Sequence, residues 1–263
     1  YIAIVSQPRA PKCDIEPDLQ KYVEDDYRGG RLTLYNTANG SATTLTSGTG
    51  NSSVSGVSWV SNNRIIFNTS PTNSSAKSID AYALWGMNID GSKKKKLFTL
   101  KQVQGAIASP RLTSLLPDEP NYVMVAINDR RGSVEDYYRL NIFTGSKRRV
   151  AMGPDIDNEE ALFDVIEKND GTPLAAIGNL ADEWRIWRYY DAEDSWDVHF
   201  TSKCQTPTFF PLSGYEDKWL VSGQDITKSK TFNKDNDKSK LYLYDPDERS
   251  FELLYEDDTY DVG

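Results

Sequence analysis

Cysteine, histidine and methionine are scarce in this 263-residue chain: two, one and three residues respectively. Two cysteines, Cys13 and Cys204, cannot build a disulfide framework. With the single His199 they also fall short of a four-ligand zinc site. The sequence contains no apolar run near the ~20 residues a membrane-spanning helix needs. A glycine period and a heptad are both missing, which excludes collagen and coiled coil. Basic residues are in deficit, 30 Lys+Arg against 39 Asp+Glu, for a net charge of −9. That balance argues against a general nucleic-acid binder, which needs a basic face. No residue pattern calls for a cofactor or a metal. Aromatic residues, by contrast, are plentiful, with 15 Tyr, 9 Phe and 6 Trp. A chain this rich in aromatics and this long can bury a sizeable core, so full disorder is not expected.

A repeat organises the chain. A short aromatic or aliphatic strand ends in Asn or Asp, turns through small polar residues and continues as a second strand. The copies are Leu32–Gly40, Leu84–Gly91, Tyr138–Gly145, Ile186–Asp194 and Leu241–Glu248. Their markers, Asn36, Asn88, Asn141, Asp191 and Asp245, are spaced by 52, 53, 50 and 54 residues. The physical reading is a hairpin: the Asn or Asp side chain bonds its own backbone and opens the turn.

A second hairpin lies between successive markers. The candidates are Val57–Val60 with Arg64–Phe67, Leu115–Leu116 with Tyr122–Ala126, and Phe163–Ile166 with Leu174–Ile177. The last pairs Thr208–Phe210 with Lys218–Val221 across a turn at Ser213-Gly214. Two hairpins per ~50 residues make a four-stranded β-propeller blade. The expected fold is therefore all-β, a propeller of about five four-stranded blades over residues 1–50, 51–103, 104–152, 153–203 and 204–263. A sandwich or barrel is the second reading. The first unit lacks its inner hairpin. Trp59, Trp85, Val123, Val125, Phe163, Leu220 and Leu243 are expected to be buried between blades. Tyr1–Val5 reads as a strand from the first residue, without initiator Met or signal peptide, so a processed or excised product is expected.

Candidate chemistry is sparse. Gly56-Val57-Ser58-Trp59-Val60 is the nearest fragment to a nucleophile elbow, but it lacks the second Gly and sits in a strand pattern. His199, in the alternating stretch Trp196–Phe200, has no motif-placed Ser to serve and reads as structural. Glu159-Glu160 could hold a substrate ammonium between two carboxylates, and Glu24-Asp25-Asp26 is a weaker candidate of the same kind. Lys93–Lys96 reads as an edge strand blunted against aggregation, with phosphate or membrane affinity as the alternative. Asn233–Ser239 lacks the Gly and Glu of a calcium loop. Asn39, Asn51, Asn68 and Asn73 begin glycosylation sequons, which count only in a secreted eukaryotic protein.

Several runs, in order, resemble the propeller of the prolyl oligopeptidase family of serine peptidases (S9), in its bacterial α/β-hydrolase type. They are Trp59–Phe67, Leu84–Ser92, Leu116–Pro120, Asp136–Asn141 with Thr144-Gly145, and Leu241–Asp245 through Gly263. The resemblance implies a propeller of seven or eight blades joined to a C-terminal α/β-hydrolase domain holding Ser, Asp and His. It also implies a non-catalytic role here: covering the active site and restricting access to peptide substrates. In the dipeptidyl-peptidase branch a Glu pair on the propeller binds the substrate amino group, and Glu159-Glu160 is the match. The expected partners are that hydrolase domain and a peptide, with no nucleic acid and no membrane span, and self-association through open propeller ends. A stand-alone propeller scaffolding protein contacts is the alternative. A propeller glycosidase, needing paired carboxylates from different blades, is a third. Composition fits a bacterial periplasm and cytoplasm equally.

Overall fold

The computed structural model describes residues 1–6, 30–47, 52–71, 83–99, 101–103, 106–131, 134–156, 160–180, 183–203, 208–224, 238–257 and 259–262. Their secondary structure is β-strand apart from one 3₁₀ turn at Asp191–Glu193. Sheet one holds β1 (Ile2–Ser6), β2 (Arg31–Tyr35) and β3 (Ala42–Ser47). Sheet two holds β4 (Ser52–Ser61), β5 (Arg64–Pro71), β6 (Ala83–Asn88) and β7 (Lys95–Thr99). A small hairpin, β8 (Lys101–Val103) and β9 (Ala106–Ala108), follows. Sheet three holds β10 (Pro110–Leu115), β11 (Tyr122–Arg131), β12 (Val134–Asn141) and β13 (Lys147–Ala151). Sheet four holds β14 (Glu160–Glu167), β15 (Pro173–Leu180), β16 (Glu183–Tyr190) and β17 (Ser195–Ser202). Sheet five holds β18 (Phe209–Tyr215), β19 (Lys218–Gly223), β20 (Lys240–Asp245) and β21 (Ser250–Tyr255).

Each sheet is an antiparallel meander in chain order. The first strands approach one another from sheet to sheet, β1 against β4, β10 against β14 and β14 against β18. This is the blade arrangement of a β-propeller. Four blades have four strands; the first has three among the described residues, as its missing inner hairpin led one to expect.

The turn chemistry follows the markers with two exceptions. Asn36 Oδ1 accepts from the Ala38 amide, Asn141 Oδ1 from Phe143 and Thr144, and Asp245 Oδ1 from Asp247 and Glu248. Asn88 instead accepts from Arg64, and Asp90 makes the turn by accepting from the Ser92 amide. At Asp191 the chain winds into the 3₁₀ turn and leaves it through Asp194 in the left-handed region, φ 46°. One turn is displaced from the expected place. β18 runs through Ser213-Gly214, and the chain reverses at Glu216-Asp217, with Glu216 at φ 54°. A bulge between Pro211 and Ser213 keeps the longer strand in register.

Apolar clusters fill every sheet-to-sheet gap. Leu32, Val54, Ile65, Phe67 and Met87 join sheets one and two. Ile66, Leu84, Leu97, Val123, Val125 and Leu140 join two and three. Met124, Tyr137, Val165 and Tyr189 join three and four, and Ile177, Ile186, Phe209, Trp219 and Tyr244 join four and five. Of the residues expected in the gaps, Val123 and Val125 are fully buried. Trp59, Trp85, Leu220 and Leu243 are only half-buried, and the Phe163 side chain lies outside the described residues. The reason in sheet five is strand parity. Trp219, Val221, Tyr242 and Tyr244 face sheet four, which turns Leu220 and Leu243 to the other face, where no further sheet lies among the described residues.

In sheets two to five the first-to-second and third-to-fourth strand turns lie at one end of the blades.

Candidate functional site

The sequence candidates for chemistry do not converge. Ser58 sits in the middle of β4, paired opposite Ile66, without the strand–turn–helix setting of a nucleophile. His199 Nε2 lies 2.7 Å from the Tyr244 hydroxyl, and its ring meets Trp219 edge-on at 5.2 Å. Burial, then the charges of Arg249 and Arg188, hold this imidazole below its usual range, so it is neutral at pH 7 and committed to the blade four–blade five gap. Cys13, Cys204, Glu24–Asp26, Glu159 and residues 233–237 lie outside the described residues. Glu160 is the first residue of β14, opposite Leu180, and its side chain is likewise outside them. Among the described residues, no group of three or more His, Cys, Asp or Glu is placed to hold a metal ion, and no helix is long and apolar enough to cross a membrane.

Two polar features were not anticipated. The first is an ionic seam between sheets three and four. Arg111 of β10 donates to Glu135 of β12 at 2.7 Å and reaches Asp164 of β14 at 3.5 Å. Two residues along, the Thr113 hydroxyl donates to Glu167 Oε1 at 2.8 Å. Burial raises the Glu167 carboxyl to about 7. Behind it the Tyr137 hydroxyl is fully buried with no hydrogen-bond partner. Burial first, and nearby carboxylates second, push that phenol well above its usual range.

The second feature is a recess of about 200 Å³ between the turns of sheets four and five. Lys168, in the β14–β15 turn, pairs with Asp217 in the β18–β19 turn. Arg188 of β16 bonds Asp247, in the β20–β21 turn, at 2.7 Å and lies 5.0 Å from the Tyr190 ring centre. Trp219 and Leu174 supply apolar wall. Two cation–carboxylate pairs, each bridging two blades, and the further carboxylate of Asp191 give the recess donors and acceptors of both signs. Such a lining suits a peptide, which offers both kinds of group. It holds no nucleophile beside a base. These partners stand 49 and 59 residues apart in sequence. The available signal was that Lys168 and Asp217 occupy the same turn of successive repeats.

No protein-family model matches the sequence, and no curated protein matches it. Similarity appears in three dimensions. A chain from a structural and mechanistic study of two prolyl endopeptidases aligns with a TM-score of 0.54 and 14% identity, covering 89% of this chain and 34% of that one. Prolyl oligopeptidase B from Galerina marginata, bound to a 35mer hydrolysis and macrocyclization substrate, aligns at 0.51 and 11% identity, covering 97% of this chain and 33% of that one. This chain thus spans about a third of the length of these solved chains. TolB from Acinetobacter baumannii aligns at 0.42 and 15% identity, over 85% of this chain and 47% of that one, a score too low to carry an argument. At these identities the likeness shows the fold, a β-propeller.

Proposed function

We propose that this chain is the propeller region of a serine peptidase of prolyl-oligopeptidase type. In this reading it is non-catalytic. It covers an active site carried on an α/β-hydrolase domain and admits peptides by size and charge. The reaction of the whole protein is then acyl transfer from a peptide bond to water through a serine on that other domain. The observation that carries the reading is the pair of prolyl-peptidase structures, each of which takes in nearly all of this chain with only a third of its own length. The commitment of His199 Nε2 to Tyr244 supports the non-catalytic part, because a triad imidazole must turn one nitrogen to the nucleophile and the other to a carboxylate. The recess at Lys168, Arg188, Asp217 and Asp247 is the proposed place for peptide contact, and Glu159-Glu160 the proposed place for a substrate ammonium.

A second reading, a scaffold that binds protein partners through its end blades, is favoured by one observation. On sheet one, Ile2 and Ile4 are 51% and 45% exposed beside Tyr35, on the face turned away from sheet two. In this reading the open ends associate with each other or with another protein.

A fluorophosphonate serine probe and a prolyl chromogenic substrate, applied to the purified 263-residue chain and to the product of its complete source gene, test the proposal. The proposal expects no labelling and no turnover by the chain, and both by the complete product. Labelling of a serine within this chain, or a complete product that neither labels nor turns over substrate, overturns it. Light scattering on the chain tests self-association, which a strict monomer at high concentration contradicts.

A further inference from the structure

Sheets two and three present their outermost strands, β7 and β13, side by side. The Lys147 ammonium of β13 lies 5.8 Å from the Phe98 ring of β7, and Lys93, just before β7, lies 5.6 Å from the Phe143 ring. Residues 93–99 and 147–151 carry Lys93–Lys96 and Lys147–Arg149 and no acidic residue. Seven cations have thus been gathered on one outer rim of a chain whose net charge is −9.

Part of this charge is compensated within the fold. Lys147 pairs with Asp129, and Arg149 lies 3.9 Å from Asp136, which is itself held by Arg130. Beside Lys93 is Asp90, whose carboxylate accepts from the Ser92 amide. Lys94, Lys95, Lys96 and Arg148 have no carboxylate partner among the described residues. Two of these ammoniums are pre-positioned: Lys94 and Lys96 lie 5.2 and 5.3 Å from the Trp85 ring, and Lys94 also donates to the Thr46 hydroxyl at 3.0 Å. Holding long side chains in place in the free protein lowers the ordering cost of binding.

The backbone selects the kind of anion. β7 pairs only with β6, and β13 only with β12, so each has one edge without a strand partner among the described residues. A phosphate polymer or a lipid headgroup layer answers the positive charge but not a row of alternating N–H and C=O groups. A polypeptide strand answers both. The lysines on that edge repel basic strands and give neutral ones nothing, the usual way an edge is kept from aggregating. The same lysines favour an acidic strand.

We propose that the β7 edge, with Lys94 just before it, docks an acidic, extended polypeptide segment by strand addition. Successive lysines on β7 point to opposite faces of sheet two, with Lys96 on the Trp85 face and Lys95 on the Gly86 face. A segment with acidic residues at successive positions therefore meets a cation on both faces.

The test is calorimetric titration of the 263-residue chain with a short oligoglutamate peptide at low and at physiological salt. The peptide binds, and binding weakens with salt as exposed charge pairs do. The Lys94→Glu, Lys95→Glu double variant changes two exposed side chains that make no ion pair, so its circular dichroism stays that of the parent. Its affinity falls about tenfold, the sum of several surface pairs lost and reversed. An oligoglutamate of equal charge with alternate backbone nitrogens methylated binds more weakly, because it cannot complete the ladder. Three results overturn the proposal: no binding at low salt, equal affinity of the double variant, or equal affinity of the methylated peptide. Tighter binding of polyphosphate or of phosphatidylserine vesicles than of oligoglutamate also overturns it, in favour of a general polyanion rim.

Discussion

Arg64, at the start of β5, donates from Nε and Nη2 to the main-chain carbonyl of Ile142, 78 residues further along, at 3.0 and 2.5 Å. Its third contact, Nη1 to Asn88 at 2.9 Å, stays within sheet two. The guanidinium stacks 4.1 Å from the Phe143 ring and is fully buried. One side chain thus clamps the second blade to the third at the turn end. A neutral replacement leaves the Ile142 carbonyl buried and unanswered, and removes the stack on Phe143.

Arg64→Met is therefore expected to cost about 2–4 kcal/mol, because an orphaned buried carbonyl and a lost charge-assisted bond are both expensive. Arg64→Lys recovers part of this, since an ammonium can reach one acceptor but cannot span the fork. Urea denaturation of the three proteins measures the order; equal midpoints contradict the clamp.

Gly145 closes the same joint. Its φ is +77°, and a Cβ placed there would come within 2.6 Å of the Leu97 carbonyl oxygen of the neighbouring blade. Gly145→Ala combines a strained backbone with a clash against main chain and is expected to cost about 1–3 kcal/mol. Gly91, with φ +82° and open space around it, carries only the backbone part. Gly91→Ala is expected to cost less in the same thermal melt.

The Glu167 carboxyl titrates at about 7 in the folded chain against an ordinary 4.5. Between those values the folded chain holds a proton that the unfolded chain has lost. Stability from this group is full below about pH 4.5 and falls as pH rises to 7, by at most about 3 kcal/mol. Glu167→Gln keeps a neutral group in the seam and should flatten that slope. Unfolding free energies of both proteins at pH 5 and pH 7.5 measure it; a wild-type minus variant difference that does not change with pH contradicts the assignment. The titratable groups near Glu167 are Arg111 across the seam and Asp164 on its own strand, with Tyr137 and Glu135 behind. Arg111 should stay paired throughout this range, its pKa being held up against burial by Glu135 and Asp164.

Trp219 and Leu220 are neighbours on β19 that face opposite ways. Trp219 is fully buried against sheet four, and Leu220 is half-buried on the outward face. Trp219→Ala is expected to cost about 3–5 kcal/mol, the range for a large core side chain. Leu220→Ala should cost well under half of that. Comparable losses in a guanidinium titration would mean that a further sheet covers the outward face.

Local chemistry made much of the fold legible in advance. The hairpins at Asn36, Asn141 and Asp245 could be read because an Asn or Asp bonding an amide two or three residues ahead is a short-range event. The ~50-residue period followed from their recurrence. What stayed hidden was decided between repeats. The inward parity of sheet five was illegible because Trp219, Leu220, Val221, Tyr242, Leu243 and Tyr244 are all apolar or aromatic, so no polar residue marks the outward face. The Ser213-Gly214 pair looked like a turn, but the bulge at Pro211–Ser213 and packing on sheet four carried the strand past it. The Arg64 clamp, the Arg111–Asp164 and Thr113–Glu167 seam and the Lys168–Asp217 bridge join residues 78, 53, 54 and 49 apart. No spacing rule marks such pairs. The sequence alone determined that the chain folds as tandem β-blades with no nucleophile elbow. Only the tertiary structure decided which charges share a seam, because stacking one repeat on the next, not distance along the chain, brings them within reach.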